Sequence, residues 1–436
     1  MSDEEIVSNF AGWLYRPFID LGDWQAGGNV ILLGVKLAAE ALSTGSDDVV
    51  RLHGMYYPSA RERLLRQAGL QCYLVRDPAD LSPELRTPAW GHLCDHLSAY
   101  ADLDVNSRGR TAWLLHRLAL HEVLLDYVQP PDQLGAARLP DGDAALLYLR
   151  GLARVVLFYD GLLGPDTAEL EAVESLARPG SWAHLEATYS LAQLCVKALG
   201  DTAGFLRHLD KHAESIDASG AADHERNKLL SRYHRIKAFA PQLSGDMDGM
   251  VKEMDMAEQH CDLMSRADPG EKVEWETLRC ALLESRVKER LVRGDYEGAE
   301  QYALELVAHS RADPRGLECL GQVRVERQEF DGAIEAYRQA CILGPHLTAT
   351  LEFMIGQCCE KMGRIGDARD SYLRSLWDDP LAISAAERLG EIMLSEKPAY
   401  LGAWISQHLR YLRTLDDQPD EVTLQSYQKY GGTLGR

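Results

Sequence analysis

Basic residues are scarce in this chain. Of 436 residues, 46 are Lys or Arg against 67 Asp or Glu, giving a formal net charge of −21 and a pI near 5.1. Binding to phosphate backbones depends on Lys and Arg displacing condensed counterions. The balance therefore disfavours a general nucleic-acid binder, and an anionic membrane surface for the same reason. Acidity also serves plain solubility. Long apolar runs are missing too. The most apolar early stretch, Val30 to Leu42, is broken by Lys36 and Glu40 and is too short to cross a bilayer. The opening Met1-Ser2-Asp3-Glu4-Glu5 is acidic with no apolar segment behind it, so no secretory leader is expected. The nine Cys are odd in number and contain no CxxC. That argues against a disulfide framework and for small core hydrophobes in a reducing compartment. A cytoplasmic location is the resulting expectation.

Catalytic signatures are equally thin. The chain has no GxSxG, no GxGxxG and no P-loop. Gly27-Gly28 precedes a helical run without a P-loop lysine, and reads as an ordinary turn. His92 and His96, and His208 and His212, stand four apart, a spacing that chelates zinc on one helix face. Neither pair has the Glu of HExxH, so both read as structural or solvent-exposed. His116 and His121 are five apart, a poor interval for a shared ligand. Carboxylates are plentiful, but none forms an isolated pair in the apolar setting that acid–base chemistry needs. The expectation is a non-catalytic protein with no metal and no cofactor.

What is present is a repeat. Gly321, Ala333, Tyr337 and Pro345 recur as Gly356, Ala368, Tyr372 and Pro380, each 35 residues on. The order is a small residue in a first helix, a turn, Ala and Tyr four apart in a second helix, then Pro. Glycine lets a first helix approach its neighbour closely. Ala and Tyr lie on one face of the second helix, the ring filling the gap. Proline stops that helix. The pattern resembles the tetratricopeptide repeat, a helix–turn–helix unit of about 34 residues.

That resemblance implies an all-α fold, an α-α superhelix or solenoid of stacked helix–turn–helix units, clearest over 280–415. Upstream, Gly294, Tyr296 and Ala299 open a second helix, although Val287 stands where Gly is usual. Downstream, Leu389-Gly390 places another first helix near Leu381, and Lys397 to Leu415 reads as a cap. Residues 416–436 hold a short helix, Glu421 to Tyr430, and a tail. Residues 143–270 read as diverged hairpins over Ala144–Leu163, Thr167–Ala177, Trp182–Leu199, Thr202–Ile216, His224–Ala240 and Met247–Ser265, with Gly200 and Gly245 as turns. The Pro- and Gly-rich stretch 130–142 is the best boundary. Residues 1–135 form an N-terminal, mainly helical region, in which Leu70–Val75 is a helix or a strand and Thr111–Val128 one amphipathic helix.

In this family first helices line a concave groove. Carried over, the groove residues are Glu284, Lys288 and Leu291, then Arg315, Glu318, Gln322 and Glu326, then Phe353, Gln357, Glu360 and Lys361, and finally Ser384, Glu387 and Glu391. The Lys/Asn clamp that some members use for a terminal carboxylate is absent, with Glu318 and Glu387 in its place. Six Glu against three cations would prefer a neutral or basic protein or peptide segment, with Phe353 as an apolar anchor. The implied function is a scaffold or adaptor without nucleic-acid or membrane binding. Two other readings stay open. One is a small-molecule or enzymatic domain in 1–140 targeted by the solenoid; the other is a ligand-responsive regulator. Self-association through the 144–163 helix or the cap is a further route.

Overall fold

The fold comes from a computed structural model that describes residues 95, 97–117, 121–130, 138–159, 163–267, 269–310, 314–343, 348–378 and 382–396. The Leu70–Val75 segment, the His92–His96 pair, the helix from Lys397 and the terminal tail lie outside the described residues. The regular elements of the described residues are all helical. No helix among them is long and apolar enough to cross a membrane.

The helices are α1 (Val105–Arg117), α2 (His121–Tyr127), α3 (Asp141–Tyr159), α4 (Ala168–Leu176), α5 (Trp182–Leu194), α6 (Thr202–Ala218), α7 (Asp223–Lys237), the single turn α8 (Phe239–Leu243), α9 (Met247–Asp262), α10 (Pro269–Val292), α11 (Tyr296–His309), α12 (Pro314–Glu326), α13 (Phe330–Leu343), α14 (Thr348–Lys361), α15 (Ile365–Asp378) and α16 (Ile383–Glu396). A π-helical turn, Cys195–Leu199, extends α5. The helix expected over Thr111–Val128 is two elements, α1 ending at Arg117 and α2 starting at His121. Among the described residues, those up to Glu289 and those from Arg290 form separate compact units.

In the first unit, α3 packs against α1, α4 and α5. Its Leu146, Leu147, Leu149, Ala153, Val156 and Leu157 are all buried. The apolar stretch that suggested a self-association surface is therefore covered by its own chain. Hairpins α5–α6 and α7–α9 follow. Their turns, and the one after α10, share one chemistry. Gly200, Gly245 and Gly294 sit at φ +64°, +79° and +71°, the left-handed geometry that closes a helix without a Cβ penalty. The next residue, Asp201, Asp246 or Asp295, caps the following helix by accepting from the amides of Gly204, Gly249 and Gly298 at 2.9, 2.8 and 3.0 Å.

The second unit runs α11 to α16 with each helix packed on the next. Its seams are those the repeat requires. Tyr337 and Tyr372 are fully buried. A Cβ on Gly321 would sit 2.3 Å from Tyr337 Cε1, and one on Gly356 would sit 2.5 Å from Tyr372 Cε1. Ala333, Ala340 and Ala368, with Leu351, Ile355 and Leu389, complete the same core. The second unit is a tetratricopeptide-like stack, ring against glycine at successive hairpins.

Candidate binding faces of the first helices

In the second unit the apolar side of each first helix is taken up by its seam, which leaves polar side chains on the rest. On α12, Arg315, Glu318 and Gln322 are half-buried and Glu326 is exposed. On α14, Gln357 and Lys361 are exposed. Ser384 on α16 is exposed and Glu387 half-buried. Phe353, expected as an anchor for a partner, is half-buried and packs against the core, its ring 5.7 Å from that of Tyr372. Glu360 is not a free anion. It accepts from the Tyr372 hydroxyl and from Arg388 of α16 at 2.6 Å. Arg388 also pairs with Glu391. Reading the first helices by repeat position does not select this arginine. Counting Glu360 and Glu391 as unopposed negative charge overstates the acidity of the face. In the first unit, Glu284 and Lys288 pair along α10 at 2.5 Å.

A second polar constellation lies on α5 and α7. Arg232 donates to Glu186 through both terminal guanidinium nitrogens, one contact being 2.8 Å, and stacks over the Tyr189 ring at 4.3 Å. Arg235 donates to the Tyr189 hydroxyl at 3.1 Å, and Gln193 donates to the same oxygen at 3.3 Å. Burial opposes ionisation of Tyr189, but Arg235 and Arg232 outweigh it and bring the phenol down to about 8. The expected result is that one tyrosine ionises near pH 8 in an absorbance titration of tyrosinate. Tyr189→Phe removes that step and Arg235→Gln moves it upward; a titration unchanged by either would refute the arrangement. Lys197, on the π turn, has its pKa lowered first by desolvation, then by Arg235 and Lys288, while Tyr189 and Glu284 oppose.

The histidines are held by protein groups. His208 Nδ1 is 2.6 Å from Glu174, and His212 Nδ1 is 3.0 Å from the Thr188 hydroxyl. That hydroxyl donates to the His184 carbonyl at 2.9 Å. His212 Nδ1 therefore carries the proton, and its buried Nε2 has no hydrogen-bond partner among the described residues. Burial, reinforced by Arg232, pushes this imidazole down to about 3. His116 on α1 and His121 on α2, unpromising by spacing, have ring nitrogens 3.3 Å apart.

A pH dependence follows from His212. Its folded-state pKa lies below the ordinary value, so acid favours the unfolded chain, which takes the proton more readily. The loss begins near pH 6.5 and continues toward about 3. By pH 5 it should reach about 2 kcal/mol, at about 1.4 kcal/mol per unit. His184 is shifted the same way by burial. Glu174 and Glu186 are held low by their partners despite burial, so their contribution is lost only at more acid pH. Urea midpoints at pH 7 and pH 5 check this: His212→Gln should flatten the difference, and an equal slope in the variant would refute it.

No protein-family model matches the sequence, and no curated protein matches it significantly. Among solved structures, a human IFIT1 dimer with PPP-AAAA aligns at TM-score 0.43 and 12% identity over 100% of this chain and 96% of that one. The APC/C hetero-tetramer Cut9–Hcn1 aligns at 0.32 and 11%, over 98% of each chain. MamA aligns at 0.30 and 17%, over 44% of this chain and 95% of that one.

Proposed function

We propose that this protein is a non-catalytic scaffold whose first helices hold a segment of another protein. The observation that carries this reading is the paired seam. With Gly321 under Tyr337 and Gly356 under Tyr372, each hairpin is closed on its apolar side by its own residues. The polar residues of α12, α14 and α16 are then left as the surface on offer. Recognition on such a face comes from a few well-packed anchors and polar contacts along the helices. Glu318, Gln322, Glu326, Gln357 and Glu387 suit a neutral or basic segment, and Arg388 supplies a counter-charge beside them. Glu284 and Lys288, on α10 of the first unit, are a separate neutral pair.

The test is affinity capture from the native host with the intact protein and with a Glu318→Lys/Glu387→Lys variant. A partner captured by the wild type and lost by the variant supports the assignment. An identical capture by both means that these helices are not the binding face.

A further inference from the structure

The α5–α7 face of the first unit carries cations with no matching anion. Arg232 is matched by Glu186. Arg235 is not: its hydrogen bond goes to the neutral phenol of Tyr189. Lys197 is exposed and lies 5.9 Å from the ring centre of Phe239. Among the described residues, neither Arg235 nor Lys197 forms an ion pair. In a chain of net charge −21, two unmatched cations on one helix pair stand out. Tyr189 is nearly fully buried, at 6% exposed, and its hydroxyl oxygen already accepts from Arg235 and Gln193. Its own proton is then directed away from both donors. Arg235, with unused N–H groups, and the phenolic proton of Tyr189 stand together, and Lys197 lies over Phe239, four residues beyond Arg235 and in the same cluster as Tyr189; all three are donors.

We propose that Lys197, Arg235 and Tyr189 form an oxyanion site that receives the acidic side chain of a peptide segment. The site is independent of the face on α12, α14 and α16. A carboxylate and a phosphorylated side chain offer the same chemistry, oxygen acceptors bearing negative charge, which a guanidinium fork and an ammonium bind with charge-assisted hydrogen bonds. A peptide is favoured over a nucleic acid by the number of cations. A phosphate backbone needs several along its length, whereas two unmatched cations accommodate one acidic group, and the acidic remainder of the chain repels a polyanion.

Fluorescence anisotropy on the full-length protein tests this with four probes: a peptide rich in Asp and Glu, its Asn/Gln counterpart, a phosphoserine version of that counterpart, and a single-stranded RNA oligonucleotide. Binding of the acidic or the phosphoserine peptide, whichever is tighter, identifies the source of the oxyanion, and the Asn/Gln peptide should bind at least tenfold more weakly. Lys197→Gln/Arg235→Gln should cost about tenfold or more, the scale of a hydrogen bond to a charged group. Lys197→Gln alone, at an exposed position, should give a smaller loss in the same direction with an unchanged melting curve. Lys252→Gln, an exposed cation on α9, should change nothing. The proposal falls if the amide peptide binds as well as the acidic one, or if Lys197→Gln and the double variant bind like wild type. It also falls if no acidic peptide binds, or if the oligonucleotide binds more tightly than both peptides and depends on the same two cations.

Discussion

Tyr372→Ala should lower the stability of the second unit by about 3–5 kcal/mol, the range for emptying a buried aromatic site. The ring cannot be replaced from the glycine side, because Gly356 approaches so closely that an ideal Cβ would fall 2.5 Å from Cε1. The two halves of the seam are matched, and changing either leaves the other wrong. Gly356→Ala should cost about 1–3 kcal/mol by overpacking, offset by up to about 1 kcal/mol because alanine is the better helix former. The two seams then separate the ring from its hydroxyl. The Tyr372 hydroxyl donates to Glu360, so Tyr372→Phe should destabilise by about 1 kcal/mol. The Tyr337 hydroxyl is buried with no hydrogen-bond partner among the described residues, so Tyr337→Phe should be neutral or stabilising. Denaturant titration followed by helical circular dichroism measures all four variants. A Tyr372→Ala protein within about 1 kcal/mol of wild type would show that the ring does not hold the seam.

That seam is legible in the amino-acid order alone because it is periodic. Glycine and tyrosine recur at a fixed interval, and each has a steric reason to be where it is. The hairpin turns are half legible. Gly200, Gly245 and Gly294 are recognisable as turns, yet the stronger sign is the pentapeptide around them, GDTAG, GDMDG and GDYEG. It encodes a left-handed glycine followed by an aspartate cap. The α5–α7 constellation is not legible. Tyr189 and Arg235 lie 46 residues apart in sequence, on helices whose spacing follows no fixed period. Arg388 escapes for a related reason. Groove positions taken one helix at a time do not show that an arginine 28 residues on reaches back to Glu360. Phe353 shows the same limit from the other side, since an apolar residue on a first helix can equally pack inward on Tyr372.

Arg286→Met should cost about 3–5 kcal/mol, the loss seen when one partner of a buried ion pair is removed. Arg286 is 1% exposed and binds three carboxylates: Asp255 at 2.6 Å, Glu258 at 2.8 Å and Glu289 at 2.6 Å. It ties α9 to α10, and Glu289 is itself buried. Methionine of similar length fills much of the space, so the defect is electrostatic rather than a cavity. Three carboxylates then lose the cation between them, in a protein already short of positive charge, while Glu258 keeps Arg279 at 2.9 Å. One consequence separates this from ordinary loss of packing. The double variant Arg286→Met/Glu289→Gln should recover much of the loss, since removing both charges takes away the desolvated anion that made the single change costly. Urea unfolding of the wild type and both variants gives the comparison. A single variant whose deficit is not relieved by Glu289→Gln would mean that Arg286 acts through its methylene packing and not through its charge.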